Sequence, residues 1–342
     1  MHPVKISIVI PVYNGANYVC QAVDSALQQF TRALEVVVRD NASTDSTVSL
    51  LQPYCGAATF RLIAGSELLP TLHSWDAAVR ATAGDWFLIL GHDDRLDADL
   101  ITRATAIVQA NPSVEWIINI HRVIDSEGRP LAASRRHAPT RALSGPVSSG
   151  AFLDVMTKRG MFFTPSGVVV KRSLYDRLGG FDLRYPYAGD WDFYLRAGME
   201  GKVYVQPDPI LDYRIHPQQG SCNFILKDHG DTNIFFEKLA TLGHKLTTRQ
   251  LQQVIEQMSA HLRRTISHQM SRTNASHSEI LMQRSRVSET LNRWQQSDLP
   301  GAPYVKTRPS SLFQAVAWYC ARYAWTTEML RKLLLLRTQW QR

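Results

Sequence analysis

The feature that most constrains the fold of this chain is an apolar run that ends in two adjacent carboxylates. Residues 86–90 have the composition of a buried strand, and Gly91-His92-Asp93-Asp94 follows them directly. In open α/β sheets, ligands bind at the carboxyl ends of such strands. Two neighbouring carboxylates repel each other, so a cation is needed to keep both ionised, and oxygen ligands suit magnesium or manganese. The stretch therefore predicts a divalent metal site at Asp93 and Asp94.

A structural interpretation of the same acids is also open. Asp97 and Asp99 follow within a few residues, and carboxylates favour the positive end of a helix dipole. On this alternative, the acids form a solvated loop ahead of a helix that begins near residue 98. The acid pair alone does not decide between the two.

Strand and helix patterns alternate through the first 120 residues. Alternation in short units predicts an α/β fold with a mostly parallel, doubly wound central sheet flanked by helices. The predicted strands are 6–10, 34–38, 60–64, 86–94 and 114–120, and the predicted helices are 17–29, 47–51, 71–82 and 98–109. Further along, the patterns predict a helix at 190–198 and two short strands at 203–205 and 210–214.

Charge is distributed unevenly along the 342 residues. Residues 1–242 carry 23 Lys and Arg against 25 Asp and Glu, whereas residues 243–342 carry 15 against 5. Such a basic tail indicates contact with an anionic surface, either a membrane or nucleic acid. The four cysteines are far apart and favour a reducing compartment, and no secretion signal or run of 18 apolar residues is present. A cytoplasmic location is therefore expected.

Several short strings are spread through the first 220 residues. They are Pro11-Val12-Tyr13-Asn14-Gly15, Asp40-Asn41-Ala42-Ser43-Thr44-Asp45, Gly84-Asp85-Trp86 leading into Asp93-Asp94, Gly179-Gly180-Phe181-Asp182, Gly189-Asp190-Trp191-Asp192 and Tyr213-Arg214-Ile215-His216-Pro217. In content, order and spacing, these strings resemble the family-two glycosyltransferases. This resemblance implies a GT-A fold over residues 1–225, followed by a basic α-helical region at 226–342.

The resemblance also implies a nucleotide site. The loop that carries Pro11, Tyr13 and Asn14 and the loop that begins at Asp40 would hold the nucleotide of a sugar donor, with Asp40 accepting from the N–H of a uracil-like or thymine-like base. A carboxylate is a strong acceptor for that donor. The structural alternative for Asp40 is a turn or a helix cap, which Ser43 or Asp45 could supply instead.

The metal and tail motifs match the family with one departure. Asp93 corresponds to the last acid of the family's DxD signature, and Asp94 lies beside it, so the resemblance implies Mn²⁺ or Mg²⁺ bridging the donor phosphates. Gly91 stands where many members have the first Asp, which implies the loss of a sugar or ribose contact. His216 matches the tail histidine that approaches the diphosphate or metal, the alternative being a packed strand side chain.

Asp190 matches the position of the family's catalytic base. Inverting transfer needs one carboxylate that removes a proton from the acceptor hydroxyl. Gly189 replaces the usual Glu, which puts acceptor contacts in question. The structural alternative is that Asp190 caps its helix, with Asp192 in the first turn.

The sequence thus predicts an inverting, metal-dependent glycosyltransferase that uses a UDP-linked or dTDP-linked sugar. The acceptor would be a glycan, lipid-linked if the basic, aromatic helix at 312–340 lies on the inner face of the cytoplasmic membrane; packing on a second subunit is the alternative. Bacterial surface polysaccharide synthesis is expected by analogy. The rivals are a sugar nucleotidyltransferase and a non-catalytic adaptor, while nucleic-acid binding is not expected.

Overall fold

A computed structural model of the chain describes residues 3–29, 31, 33–131, 143–185, 189–219, 245–247, 249–250 and 253. The chain divides into two compact units, the first formed by Met1–Phe235 with Arg249–Asn274 and the second by Phe236–Thr248 with Ala275–Arg342. The description below concerns the first unit. The helices predicted beyond residue 254 lie outside the described residues, so the domain boundary predicted at residues 225–226 stays a prediction.

Strands and helices alternate through the first 124 residues, as the sequence predicts. The first helix buries an apolar stripe, since Val19, Ala22, Val23 and Ala26 are buried at the spacing of one helix face. The elements are β1 Ile6–Val12, α1 Val19–Leu27, β2 Glu35–Asp40, α2 Thr47–Leu51, β3 Phe60–Ala64, α3 Thr71–Arg80, β4 Trp86–Ile89, β5 Arg95–Leu96, α4 Leu100–Ala110 and β6 Trp116–Ile124.

Shorter elements complete the unit. Helix α5 begins after Ser148, whose hydroxyl accepts a hydrogen bond from the Ala151 amide, and it ends at Gly160, whose φ of 75° is a conformation that glycine adopts readily. The remaining elements are β7 Gly145–Val147, α5 Ser149–Arg159, β8 Val169–Lys171, α6 Arg172–Arg177, α7 Gly189–Glu200 and β9 Val203–Arg214.

The strands form one nine-stranded sheet in the order β3-β2-β1-β4-β8-β6-β9-β5, with β7 also paired to β9. Strands β3, β2, β1 and β4 pair in parallel, so their carboxyl ends meet at one edge. Strand β8 runs antiparallel between β4 and β6, and β9 returns parallel to β6. The fold is the predicted α/β architecture, with the parallel strands gathered in its first half.

The core explains why the central strands are almost continuously apolar. Every residue of β1 and β4 is buried, because helices cover both faces of the parallel half of the sheet. The main cluster joins apolar residues of β1, β2 and β4 to those of α1 and α4. Within the described part of the chain, no helix is both long enough and apolar enough to cross a membrane.

Two predicted element boundaries were wrong. Strand β4 ends at Ile89 rather than at residue 94, because the chain turns at Gly91 and the Asp94 amide donates to the Gly91 carbonyl. The two short strands predicted at 203–205 and 210–214 form a single strand, β9, whose pairing with β6 shifts register near Ile120. Pro207 and Pro209 lack the amide hydrogen that a regular ladder needs, which produces the irregularity.

Candidate functional site

Three loops leave the same edge of the sheet. They follow β1, β2 and β4, which are adjacent and parallel, and they carry the polar strings singled out in the sequence. The loop after β1 includes Asn14, the loop after β2 begins at Asp40, and the loop after β4 carries Asp93. The end of β9 joins this edge, because the Arg214 amide donates to Asp94.

Asp40 is the last residue of β2 and is 1% exposed. Its Oδ2 atom accepts a hydrogen bond of 3.0 Å from the Ser43 amide. Its Oδ1 atom is also buried and has no hydrogen-bond partner among the described residues. Because a buried polar atom without a partner is unfavourable, Oδ1 is suited to accept a hydrogen bond from a ligand.

The Asp40 loop is held rigidly by its neighbour Asn41. The Asn41 amide group donates to the Leu69 carbonyl at 2.8 Å and accepts from the Leu69 amide at 3.1 Å. Arg39 reaches the same side chain and also Ser74 on α3. The carboxylate of Asp40 is therefore presented on a loop that two other segments brace.

Asn14 joins the first loop to the second. Its backbone lies in the left-handed region with φ of 50°, its amide donates to Ser43 Oγ, and its side-chain oxygen accepts from the Thr44 amide at 2.8 Å. Pro11 is buried within β1, whereas Tyr13 is 41% exposed. Among the predicted nucleotide residues, Asn14 fixes the geometry of the loops and Tyr13 offers a free aromatic surface.

Asp45 ties the same two loops together at a second point. Its carboxylate accepts from the Ala16 amide at 3.1 Å and from the Thr47 amide at 3.0 Å, while Thr47 Oγ1 accepts from the Gly15 amide. Burial opposes the charge on this group, but the hydrogen bonds from Thr47 and Ala16 outweigh it and lower the pKa of Asp45.

Asp93 and His216 lie in contact. Their Oδ2 and Nε2 atoms are 3.1 Å apart, and the two side chains are only 13% and 6% exposed. Burial alone would raise the pKa of Asp93, but the hydrogen bond with His216 overcomes this effect and the pKa is lowered. Residues 123 positions apart in the chain, both singled out in the sequence, thus share one site.

Asp94 is directed into the protein. Its side chain is 2% exposed, and its Oδ1 atom accepts a hydrogen bond of 2.9 Å from the Arg214 amide. Burial, reinforced by the negative charge of Asp93, raises the pKa of Asp94 well above its usual range, although hydrogen bonds from Arg214 and Ser166 act in the opposite direction. The pair therefore contains one carboxylate that ionises readily and one that resists ionisation without a further positive charge.

His92 has a structural position. Its ring is hydrogen-bonded to the Pro11 carbonyl, and desolvation lowers its pKa. A side chain at Gly15 would collide with it, since a Cβ there would lie 2.7 Å from His92 Cδ2. His92 thus fastens the loop after β4 to the end of β1.

The glycine at position 91 also has a steric explanation. A Cβ atom there would lie 2.7 Å from Asp94 Oδ2 and 2.8 Å from Asp93 Oδ1, and the Gly91 amide donates to Ser166 Oγ. No side chain fits unless both carboxylates move. The departure from the family's first Asp is therefore coupled to the way this chain packs its acid pair.

Asp190 is carried by another element, the first turn of α7. Its Oδ1 atom accepts from the adjacent Trp191 amide at 2.7 Å, and its charge adds to burial in raising the pKa of Tyr194. Gly189 packs against α3, where a Cβ would lie 2.2 Å from Leu72 Cδ1. A Glu at position 189 would therefore require Leu72 to move.

Asp192, two residues further on, is structural. It forms a buried ion pair with Arg196, and the Arg196 guanidinium also donates to the carbonyls of Leu178 and Gly180. These contacts fasten the start of α7 to the turn at Gly179-Gly180, which includes two residues with positive φ. The helix that presents Asp190 is held in place by them.

Arg214 and Tyr18 were not assigned a role from the sequence, and Ser166, which the sequence suggests as part of an acceptor-side wall at 164–167, lies against the loop that carries the two acids. Arg214 contacts both Asp93 and Asp94, Ser166 contacts Gly91 and Asp94, and Tyr18 lies against His216 with ring centroids 4.8 Å apart. Arg214 left a detectable signal, because it belongs to the Tyr213-Arg214-Ile215-His216-Pro217 string and lies two positions before the tail histidine.

The residues of this edge that could hold a divalent cation are few. Across the described ranges, no three His, Cys, Asp or Glu side chains form a ready-made metal cluster. Mg²⁺ is commonly bound by one or two carboxylates, with substrate phosphates completing its coordination. Asp93, slightly exposed and in contact with His216, fits that mode of binding, whereas Asp94 is buried and its pKa is raised by burial and by the charge of Asp93.

The sheet, the loops at its parallel edge and the paired carboxylates define a GT-A glycosyltransferase. The family model for glycosyl transferase family 2 matches residues 7–179, which is half of the chain, and the chain belongs to this family. An uncharacterized glycosyltransferase of Rickettsia prowazekii is 24% identical over 215 residues, 63% of this chain and 65% of the relative. A PGL/p-HBAD biosynthesis glycosyltransferase of Mycobacterium bovis is 27% identical over 203 residues, 56% of this chain and 68% of the relative.

The matched region covers less than two thirds of several relatives. It spans 65% of the Rickettsia prowazekii and Rickettsia typhi proteins and 39% of the Rickettsia felis protein. Among solved structures, S. aureus TarS 1-349 in complex with UDP has a TM-score of 0.53 at 16% identity, covering 90% of this chain and 75% of the TarS 1-349 chain. The mannosyltransferase PcManGT from Pyrobaculum calidifontis, in complex with GDP-Man and Mn²⁺, has a TM-score of 0.52 at 17% identity, covering 97% and 88%. These likenesses establish the GT-A fold.

Proposed function

We propose that this glycosyltransferase moves a sugar, with inversion, from a UDP-linked or dTDP-linked donor to a hydroxyl group of a glycan. The observation that carries the proposal is the parallel sheet edge, where Asp40 with its partnerless Oδ1 atom and Asp93 with His216 follow neighbouring strands. The structures of TarS with UDP and UDP-GlcNAc, and of PcManGT with GDP-Man and Mn²⁺, support a nucleotide-sugar donor on this fold.

The hydrogen bonding of Asp40 favours a donor whose base is uracil or thymine. One of its oxygens already accepts from the Ser43 amide, which leaves Oδ1 to receive a single N–H. Uracil and thymine present one such donor at N3, whereas guanine presents two adjacent donors that match both oxygens of a carboxylate. Hydrogen bonds to a charged acceptor contribute about 1.5–3 kcal/mol, enough to discriminate between bases.

Mn²⁺ or Mg²⁺ is the proposed cofactor. Asp93 would hold it with the donor diphosphate, and His216, hydrogen-bonded to Asp93, would orient that carboxylate or reach a phosphate oxygen. Asp94, the second predicted ligand, is the more deeply buried of the two and would act chiefly by shaping the loop. When bound, the cation supplies charge stabilisation for the departing nucleoside diphosphate.

Asp190 is the proposed general base. It would remove the proton from the acceptor hydroxyl while that oxygen forms its bond to the anomeric carbon. The bond from this carbon to the diphosphate oxygen breaks at the same time, and its electron pair leaves with the nucleoside diphosphate. One carboxylate suffices because no covalent enzyme intermediate forms. The Asp192–Arg196 pair that anchors the same helix would keep Asp190 in place.

The acceptor is proposed to be a glycan of a bacterial surface polysaccharide, lipid-linked and met in the cytoplasm at the inner face of the membrane. Two observations support this class: the Mycobacterium bovis relative is a biosynthesis glycosyltransferase of PGL/p-HBAD, and residues 243–342 have ten more basic than acidic side chains. The same tail could instead mediate a homo-oligomer, which sedimentation would reveal.

Calorimetric titration tests the donor site. UDP, dTDP, GDP and UDP-GlcNAc are titrated into the intact chain with Mn²⁺ and, separately, with a chelator. The variants Asp93→Ala and Asp40→Ala are compared with Asp208→Ala, which removes an exposed carboxylate. We expect binding of UDP or dTDP that requires Mn²⁺ and Asp93 and that weakens about 10-fold to 100-fold without Asp40. A folded protein that binds none of the panel would contradict the proposal and favour an adaptor.

A further inference from the structure

Arg214 is a fully buried cation at the end of β9. Its exposed fraction is 0%, and it is among the largest side chains of the unit that are shut off from solvent. Burying an arginine costs several kcal/mol unless its donors find partners. The contacts that compensate this cost show which segments the residue holds together.

The guanidinium donates hydrogen bonds to oxygen atoms of three separate segments. Its Nε atom donates to the Asp93 carbonyl at 2.8 Å, one terminal nitrogen donates to Gln21 Oε1 at 2.8 Å, and the other donates to the carbonyls of Asp125 and Ser126 at 3.2 and 3.1 Å. Only a planar fork with five donors can meet so many acceptors at once. Arg214 therefore connects the metal-site loop to α1 and to the turn after β6.

The backbone of the same residue acts on the second carboxylate. The Arg214 amide donates to Asp94 Oδ1, and β9 is fixed at this point because Arg214 pairs with Ile124 and the Ile215 amide donates to the Ile124 carbonyl. Two residues later, His216 reaches Asp93 Oδ2. One strand end thus sets the position of both carboxylates and of the histidine.

Tyr18 completes the arrangement. The Arg214 Cζ atom lies 4.5 Å from the centroid of the Tyr18 ring, and the same ring contacts the His216 imidazole. Among the described residues, every side-chain acceptor of Arg214 is a neutral carbonyl or amide oxygen. Within this part of the chain, the guanidinium forms no direct ion pair, and its charge lies next to the loop that carries Asp93 and Asp94.

We propose that Arg214 is the positioning residue of the donor site: its guanidinium fork fixes the main chain of the Asp93–Asp94 loop in the geometry that binds the cation and diphosphate. This inference rests on the proposed function. A lysine at position 214 would keep the charge but not the fork, since an ammonium group cannot reach four acceptors in three directions. The main chain at Asp93 would then lose its fixed position while the carboxylates remain present.

The test compares Arg214→Lys with the control Arg172→Lys. Arg172 also donates to main-chain carbonyls, those of Val79 and Thr82, but it lies at the opposite end of β4, next to Asp85. Thermal unfolding and calorimetric Mn²⁺–UDP binding are measured for both variants. We expect comparable losses in melting temperature, Mn²⁺–UDP affinity at least tenfold weaker in Arg214→Lys, and affinity within twofold of the unsubstituted chain in Arg172→Lys.

A second variant keeps the proposal testable if Arg214→Lys fails to fold. Gln21 is exposed, so Gln21→Met removes one acceptor of the fork without disturbing the core, and we expect Mn²⁺–UDP affinity to fall several-fold. Unchanged affinity in both Arg214→Lys and Gln21→Met, or equal weakening in Arg172→Lys, would overturn the positioning role alone. An unsubstituted chain that fails to bind any nucleotide would instead overturn the proposed function, so the two failures are distinguishable.

Discussion

At the scale of single residues, the site depends on side chains that have little room to change. Gly91 is the clearest example, since the space where its side chain would extend is filled by the carboxylates of Asp93 and Asp94. Similarity to the family would suggest that an Asp at this position restores a missing ligand. The packing of this chain leads to the opposite expectation.

Gly91→Asp should therefore destabilise the protein. Overpacking typically costs about 1–3 kcal/mol, and a third carboxylate adds repulsion to a pair that already resists full ionisation. Urea unfolding measures the loss, and added Mn²⁺ should recover part of it. Gly150→Asp is the matched control, because nothing lies within 4 Å of a Cβ there and the new acid would sit in the first turn of α5. Equal stability of the two variants would refute this steric account.

Asp190→Asn should separate donor binding from transfer. The amide keeps the size of the carboxylate but cannot remove the proton from the hydroxyl group of the acceptor glycan. The rate of sugar transfer should therefore fall about 10²-fold to 10⁴-fold. Mn²⁺–UDP affinity should stay within twofold, because the proposed donor contacts are made by Asp40 and Asp93. Product formation with a glycan acceptor and calorimetry on the same sample measure the two quantities. Retention of full transfer activity would leave Asp190 with a structural role only.

At the scale of secondary-structure elements, α7 shows how a helix is fixed so that its first turn can act. The Asp192–Arg196 pair is almost fully buried, and Arg196 extends the connection to the Gly179-Gly180 turn. A buried pair of this kind matters most when it is broken, since the remaining charge is left without compensation.

Asp192→Ala should lower the free energy of unfolding by about 3–5 kcal/mol. The exposed pair of Arg103 with Asp208 provides the comparison: Asp208→Ala should cost less than about 1 kcal/mol, because water already solvates both groups. Denaturant unfolding followed by circular dichroism gives both values. Similar costs for the two substitutions would mean that Asp192 does not anchor the helix.

The elements also show what the sequence could and could not reveal. Strands β1, β2 and β4 were predictable because apolar runs of strand length, rich in β-branched or aromatic residues, have few alternatives, and the acids that follow β2 and β4 are read directly from chain order. The continuity of β9 was hidden by Pro207 and Pro209. The contacts of Arg214, Ser166 and Tyr18 depend on tertiary packing, which no local sequence pattern encodes. Those of Arg214 with Asp93 and Asp94 join residues more than a hundred positions apart. The location of the acid pair could thus be inferred from the sequence, but the residues that hold the pair in place could not.

At the scale of the whole molecule, the charge distribution yields a further prediction. Residues 243–342 concentrate the basic excess of the chain. If the tail meets an anionic membrane, the intact protein should co-sediment with vesicles rich in anionic lipid, and binding should decline as salt rises because screening weakens the attraction. Vesicles of neutral lipid serve as the control. Equal sedimentation with both vesicle types would remove the charge argument and shift the interpretation to self-association.

Strand β9 contacts the acid pair but lies far beyond it in the sequence, and this separation affects the order in which the site forms during synthesis. Asp94 and the Arg214 amide that donates to it are 120 residues apart in the chain, and Asp93 and His216 are 123 residues apart. A ribosome adding about 5–20 residues per second therefore exposes the acid pair several seconds before its partners exist. During that interval the nascent chain can form the loops after β1, β2 and β4, but the contacts that Arg214 and His216 make with the two carboxylates are still absent. The donor site is thus completed late in translation, and nascent chains that end before residue 214 should fold their parallel strands while binding Mn²⁺–UDP weakly.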